Sequence, residues 1–229
     1  MKKLTIILIV AMMFLDQSFA QSNTVGEFNK YIAQNWAGDY IRIGQYKVKG
    51  TPYLLGESFP GTLTFKGGLK SDTKIYNDLY NQKVGADVKN SILESDQVIE
   101  EFSILLPAKF GGNTLRFKNT EAYGNTSLKN YFNVLEDGAK ASLLKIFKIK
   151  LVSDPSNMMD KEIKVFEQYY EYYLYNKTNK ELSKVKLKQK DIAKHLGDEE
   201  FVKNFIAEGD LDVSKEVDAI KLILAFNNK

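Results

Sequence analysis

This chain of 229 residues is 44% hydrophobic and 12% aromatic, enough to fill a core, which excludes an intrinsically disordered polypeptide. Its formal charge of +3 comes from 32 basic residues interleaved with 29 acidic ones, which excludes the basic stripe of a nucleic-acid binder. Cysteine is absent and His195 is the single histidine, so disulfides, thiol catalysis and thiolate or multi-histidine metal sites are excluded.

Residues 1–20 read as a cleaved secretory signal peptide. Met1 is followed by Lys2 and Lys3, then by an apolar run from Leu4 to Leu15 broken only by Thr5, then by Ser18-Phe19-Ala20 with small residues at the cleavage positions. The run spans about twelve residues, against roughly 20 for a membrane-crossing helix. With no cysteine after it, lipid attachment at the new N-terminus is ruled out. The mature chain is expected from Gln21, with 30 basic and 28 acidic residues after loss of Lys2, Lys3 and Asp16. It contains no later apolar run long enough for a transmembrane helix. The expected location is periplasmic or secreted, not as a lipoprotein. Without disulfides, such a protein holds together by burial alone.

Residues 21–43 read as an N-terminal arm or short helix, because Val25, Phe28, Tyr31, Ile32 and Trp36 recur at helix-like spacing. Residues 44–186 change to short alternating runs separated by turn residues, the pattern of an antiparallel β domain. Thr62 to Phe65 leads into Gly67-Gly68, a two-glycine hairpin signal. Ile75–Asn77 and Lys83–Gly85 flank a turn at residues 80–82, and strands are expected over 98–106 and 114–117, with a break at 110–113. Tyr131 to Leu135 leads through Asp137-Gly138, a type I′ turn signal, to a strand from Ala141 to Leu151. After a loop at 154–157, a long strand runs from Val165 to Tyr175 and a turn follows at 176–179.

Residues 187–229 switch to helical period and are expected to pack on the sheet. A helix over 189–196 ends at Gly197, which suits a left-handed cap. Asp198 caps the next, with Phe201, Val202, Phe205 and Ile206 as its apolar set and Gly209 at its end. Ser214 is the expected cap of the last helix, whose buried side is read as Val217, Ile220, Ile223, Leu224 and Phe226. The class is α+β: a twisted antiparallel β-meander, which can curl into a half-barrel, with a C-terminal cluster of short helices.

The residues with possible chemistry are few. Tyr169-Tyr170-Glu171-Tyr172-Tyr173-Leu174-Tyr175 places Phe166, Tyr170, Tyr172 and Leu174 on one face of a strand and Val165, Tyr169, Tyr173 and Tyr175 on the other. Tyr170 and Tyr172 are the candidate ligand-binding residues, as an aromatic platform with hydroxyl handles. The plainer reading is a central strand covered on both sides, since tyrosine favours strands. His195, near a helix end, reads as a residue facing the helix dipole rather than a base. Glu100 and Glu101 point to opposite faces and cannot act as a glycosidase pair. Asp198-Glu199-Glu200 reads as a helix start, and Asp210, Asp212 and Asp218 lack calcium-loop spacing. No catalytic residue, metal ligand or cofactor motif emerges.

Several stretches also carry a resemblance. Gly50-Thr51-Pro52-Tyr53-Leu54, Tyr80-Asn81-Gln82-Lys83-Val84, Tyr131 through Gly138, Leu143-Leu144-Lys145 and Phe201-Val202-Lys203 are similar to those of a group of exported Bacteroidota proteins with a β-rich body and a helical C-terminus. The resemblance covers most of residues 44–228 and implies a Gram-negative envelope location, but no catalytic residues. The expected function is a non-catalytic binding or interaction module for an apolar or peptide ligand, or for another envelope protein. The alternatives are a small envelope hydrolase acting on polysaccharide or peptide, and a structural partner using an exposed sheet edge.

Overall fold

A computed structural model describes residues 41–88, 91–94, 98–125, 130–156 and 161–229. The expected signal peptide, and the expected arm up to residue 40, lie outside these residues. Twelve strands form one sheet: β1 (Ile41–Ile43), β2 (Tyr46–Lys49), β3 (Phe59–Phe65), β4 (Lys70–Asp78), β5 (Lys83–Val88), β6 (Ser91–Glu94), β7 (Ile99–Leu105), β8 (Thr114–Asn119), β9 (Tyr131–Asp137), β10 (Ala141–Ser153), β11 (Ile163–Asn176) and β12 (Glu181–Val185). Three helices follow: α1 (Gln189–Leu196), α2 (Glu199–Gly209) and α3 (Glu216–Asn228). The class is therefore α+β, as expected from strands first and helices last.

The strands lie in the order β1-β2-β11-β10-β9-β8-β7-β3-β4-β5-β6, with β12 also paired to β11. The sheet is mixed and open. Every pairing is antiparallel except that of β2 with β11, where Lys47, Val48 and Lys49 face Ile163, Lys164 and Val165 in parallel. Among the described residues, β1 and β6 at the two ends do not pair with each other. The backbone of the molecule is the long hairpin of β10 and β11, in register from Ala141 opposite Asn176 to Ser153 opposite Lys164. Its aromatic and β-branched content suits a pleated, half-buried surface.

The Gly67-Gly68 turn is present between β3 and β4, with φ of +95° and +88°, where a side chain would be strained. The Asp137-Gly138 turn is not type I′. Asp137 pairs with Ser142 as part of the ladder, and Gly138 does not have positive φ. Gly138 is needed for space instead: a Cβ there would lie 2.0 Å from Asn227 Cγ of α3. Asn227 is a latch on this loop. Its Oδ1 accepts from the backbone N–H groups of Lys140 (2.9 Å) and Ala141 (2.8 Å), and its Nδ2 donates to the Ala141 carbonyl (3.0 Å).

Gly197 caps α1 at φ +74°, and Asp198 caps α2 by accepting from Phe201 N–H, both as expected. Gly209 ends α2 as expected, and the following Asp210 takes the left-handed position at φ +46°. One helix-end expectation is corrected. Lys215, not Ser214, occupies the cap position of α3 and offers no side-chain bond, because Ser214 is turned to donate to Asp212 Oδ1 at 2.6 Å. The expected buried face of α3 holds in part: Ile223 is buried and Ile220 and Phe226 pack against the helix-side core. Ala219, Leu222 and Ile223 are buried, whereas Val217 and Leu224 are 64% and 46% exposed. Its apolar residues cover most of the helix surface, so spacing alone left the face ambiguous.

The core has three parts. Leu143 and Leu174 of the central hairpin meet Ile192, Val202, Leu222 and Ile223 of the helices. On the strand-only side, Phe102 and Phe117 stack at 4.5 Å within a second cluster that includes Phe59, Leu63 and Ile75. Leu144, Ile146, Phe132 and Tyr123 form a third cluster against the opposite side of the hairpin. Burying each such large apolar side chain stabilises by roughly 1.5–3 kcal/mol. Among the described residues, no helix is long and apolar enough to cross a membrane.

Candidate functional site

Alternation along β10 reads Leu143, Lys145, Phe147, Ile149 on one face. A lysine thus stands in an apolar row. Register places Lys145 opposite Tyr172 and Phe147 opposite Tyr170, on the face that also carries the helices. The same row continues across the sheet through Asn133, Phe117 and Phe102. Lys145 and Asn133 therefore interrupt a line of apolar side chains between the helix-side core and the strand-side core. Asn133 is buried and donates to the Arg116 carbonyl at 3.1 Å.

The Lys145 side chain is only 14% exposed, and its ammonium is enclosed by chemistry suited to a cation. It lies 4.3 Å from the Tyr170 ring centre, 5.2 Å from Phe147 and 5.7 Å from Tyr172. It donates to Glu216 Oε2 at 2.7 Å, and the Tyr172 hydroxyl donates to the same oxygen at 2.8 Å. Glu216 sits in the first turn of α3, where the helix dipole favours an acid. Burial, then the bond to Glu216, pushes the Tyr172 hydroxyl well above its ordinary range, so it stays protonated and donates. Beside this cluster, Tyr170 is 54% exposed and meets Tyr172 edge-on at 5.4 Å. Further along the face, the Gln168 side chain bonds the Tyr53 carbonyl (2.7 Å) and the Leu55 N–H (3.3 Å). Tyr170 thus opens to solvent between the start of α3 and the turn at residues 53–56.

The structure brings the two sequence candidates, Tyr170 and Tyr172, together, in different roles: Tyr172 is half-buried and bonded, Tyr170 open. β11 is not covered on both faces along its length, since Tyr169 is also 37% exposed. The partners Lys145, Phe147 and Glu216 were missed by sequence reasoning. The readable signal was the lysine in the alternating apolar run of β10.

The opposite face of β11 is structural. Tyr173 meets Phe132 at 5.1 Å, and Tyr175 meets Tyr123 at 5.4 Å. Burial first, then Glu171, pushes the Tyr173 hydroxyl up to about 12. Glu171 accepts from Lys148 (2.8 Å) and Lys184 (2.7 Å); these bonds outweigh its burial and hold its carboxyl at about 2. Asp137 likewise overcomes burial through Lys177, Lys118 and Ser142, and lies far below the usual carboxylate range. The Tyr123 hydroxyl is buried with no hydrogen-bond partner among the described residues, and burial raises its pKa.

The remaining candidates fall into place as fold features. His195 lies in the last turn of α1, 3.8 Å from Asp191. Glu101 holds Arg116 through two bonds of 2.8 and 3.0 Å, while Glu100 is exposed. Asp212 and Asp218 order the loop before α3, accepting from Ser214 and from Asp212 N–H. Among the described residues, no group of three or more histidine or acidic side chains is placed to hold a metal ion.

Comparison with protein-family models, with curated proteins and with solved structures returns no match.

Proposed function

We propose that this chain is an exported binding module of the bacterial envelope, and that its recognition surface is the Tyr170–Tyr172 cluster on the helix-side face of the sheet. The observation that carries this reading is the open Tyr170 ring, seated on a charge-paired Lys145–Glu216 support. Large solvent-facing aromatic rings backed by fixed polar groups suit ligand recognition, because they add contact area at little entropic cost. The space between the central hairpin and the helices is filled by Leu143, Leu174, Leu222 and Ile223, all fully buried. That packing favours binding at the surface over transport of an apolar ligand inside a half-barrel. The successive antiparallel pairings β7 to β12 support a meander as the body of the module.

Among the described residues, the carboxylates with clearly displaced pKa values, Glu101, Asp137, Asp154, Glu171, Asp198, Asp212 and Asp218, are all displaced downward. A hydrolytic general acid needs the opposite displacement. This favours binding over hydrolysis. Export rests on the charged start, short apolar run and small-residue exit of residues 1–20, and the resemblance to exported Bacteroidota proteins agrees with it.

The test has two arms. Mass spectrometry of the protein from fractionated cells should find a chain starting near Gln21 in the envelope or medium; an intact Met1 in the cytoplasm overturns export. Immobilised glycan and peptide libraries should then capture the mature protein but not Tyr170→Ala. Capture unaffected by that substitution overturns the site.

A further inference from the structure

We propose that β11 takes an extended, uncharged peptide segment as an added strand, laid along its bare edge at residues 166–171 between β2 and β12. The inference rests on the binding reading above, since Tyr170 lies in this stretch, and it names the ligand class.

The backbone carries the argument. On its outer edge β11 pairs with β2 only over Ile163–Val165 and with β12 only over Tyr172–Asn176. On its inner edge it pairs with β10 without a break. A residue's N–H and C=O point to one edge of a strand, and successive residues alternate. The Glu162 carbonyl accepts from Lys47 of β2 at 2.9 Å, and the Ile163 carbonyl accepts from Asp154 on the β10 side at 3.3 Å. Even-numbered residues therefore face outward along the regular β10–β11 register. The Phe166 carbonyl, and the N–H and carbonyl of both Gln168 and Tyr170, have no partner among the described residues. Glu167, Gln168, Tyr169 and Tyr170 are the exposed run of the strand, so these groups are open to a ligand. Donors and acceptors alternating along a strand edge are matched by another extended backbone.

The shape of the edge selects the partner. With β2 and β12 standing at either end in the next strand position, the edge is a recess roughly 20 Å long. A second copy of this chain cannot offer its own β11 to it, because that strand is recessed between the same two shoulders. A single free segment of about six residues fits. Antiparallel addition is the stabler direction and continues the β12 ladder beyond Val185. Exposed rings stand on both faces of the recess, Tyr170 at 54% and Tyr169 at 37%. Residues set opposite them pair best when β-branched or aromatic, and proline is excluded wherever an N–H must bond. The charges alongside are already matched, Glu167 by Lys150 and Glu171 by Lys148 and Lys184. None is left over to select a charged segment.

Amide hydrogen exchange by NMR on the mature protein gives the first test. The Gln168 and Tyr170 amides should exchange at least tenfold faster than those of Tyr169 and Glu171, which bond β10. An immobilised library of proline-free peptides should then yield a binder that slows the Gln168 and Tyr170 amides. N-methylation of that peptide should cost about tenfold in affinity at alternate positions and little at those between. Tyr170→Ala should weaken it severalfold, with circular dichroism checking the fold. Equal protection of all four amides in the free protein overturns strand addition. So does a Tyr170-dependent peptide indifferent to N-methylation, or Tyr170-dependent capture of glycans alone; these outcomes leave the binding reading standing. Absence of any Tyr170-dependent ligand overturns both.

Discussion

The two faces of β11 carry the same residue type in different settings. On one face, Tyr173 and Tyr175 are held by Phe132 and Tyr123, with Glu171 and its two lysines closing the surface. On the other, Leu174 is sealed by the helices and Tyr172 is tied to α3, but Tyr170, two residues further on, stands open. Composition is not what separates a structural tyrosine from a candidate recognition tyrosine. The separation comes from where the helices stop. Helix α3 begins at Glu216, reaches Lys145 and Tyr172, and leaves the next position of the row uncovered.

This contrast can be broken at graded cost. Leu174→Ala removes a fully buried side chain from the helix-side core and should destabilise by about 2–5 kcal/mol in urea denaturation. A loss below 1 kcal/mol means the helices do not seal that end of the face. On the opposite face, Glu171→Gln removes the carboxylate charge shared by Lys148 and Lys184 and one of its two acceptor oxygens, and should cost about 1–2 kcal/mol at neutral pH. Tyr170→Ala should change stability by less than about 0.5 kcal/mol, because the side chain is largely exposed, while weakening the proposed binding. If instead it unfolds the protein as Leu174→Ala does, the open face is a structural one and the contrast disappears.

Acidity and alkalinity sharpen the same comparison. Glu171 lies at about 2 in the folded protein against an ordinary 4.5. Its contribution is therefore complete above about pH 4.5 and is lost as pH falls toward 2. The stability difference between wild type and Glu171→Gln should shrink across that window. Tyr173 is raised to about 12 from an ordinary 10. Its contribution is complete below pH 10 and is lost as pH rises through 12, and Tyr173→Phe should blunt that alkaline loss. An unchanged pH profile in either variant means that face is not closed by these groups.

Strong local signals were legible in the sequence. Gly67-Gly68, Gly197 and Asp198 were read correctly because a positive φ or a capping oxygen is a property of a few adjacent residues. Asp137-Gly138 misled because its glycine answers to Asn227, far along the chain, and not to a local turn. The face of α3 was legible only in part because apolar residues surround most of the helix. Strand β12 was overlooked because Leu182 and Val185 are its only apolar residues, and it forms only by pairing with β11. Tyr170 and Tyr172 were visible as a run of aromatics. Their partners were not, because the distance between Lys145 and Glu216 is set by helix docking rather than by sequence spacing.

The parallel contact of Lys47–Lys49 with Ile163–Val165 has a consequence for how the chain reaches this state. It closes a loop of more than 100 residues, as the Lys49–Asp154 bond with a separation of 105 residues also shows. Such distant closures are slow to form, whereas the neighbouring β10–β11 and β11–β12 hairpins are local. The tyrosine-rich strand should therefore be paired along one edge well before β2 arrives at the other. In that interval its bare stretch is a template for misassociation between chains. Glu167 and Glu171 lie within that stretch, and like charges meeting across two such edges would oppose their joining.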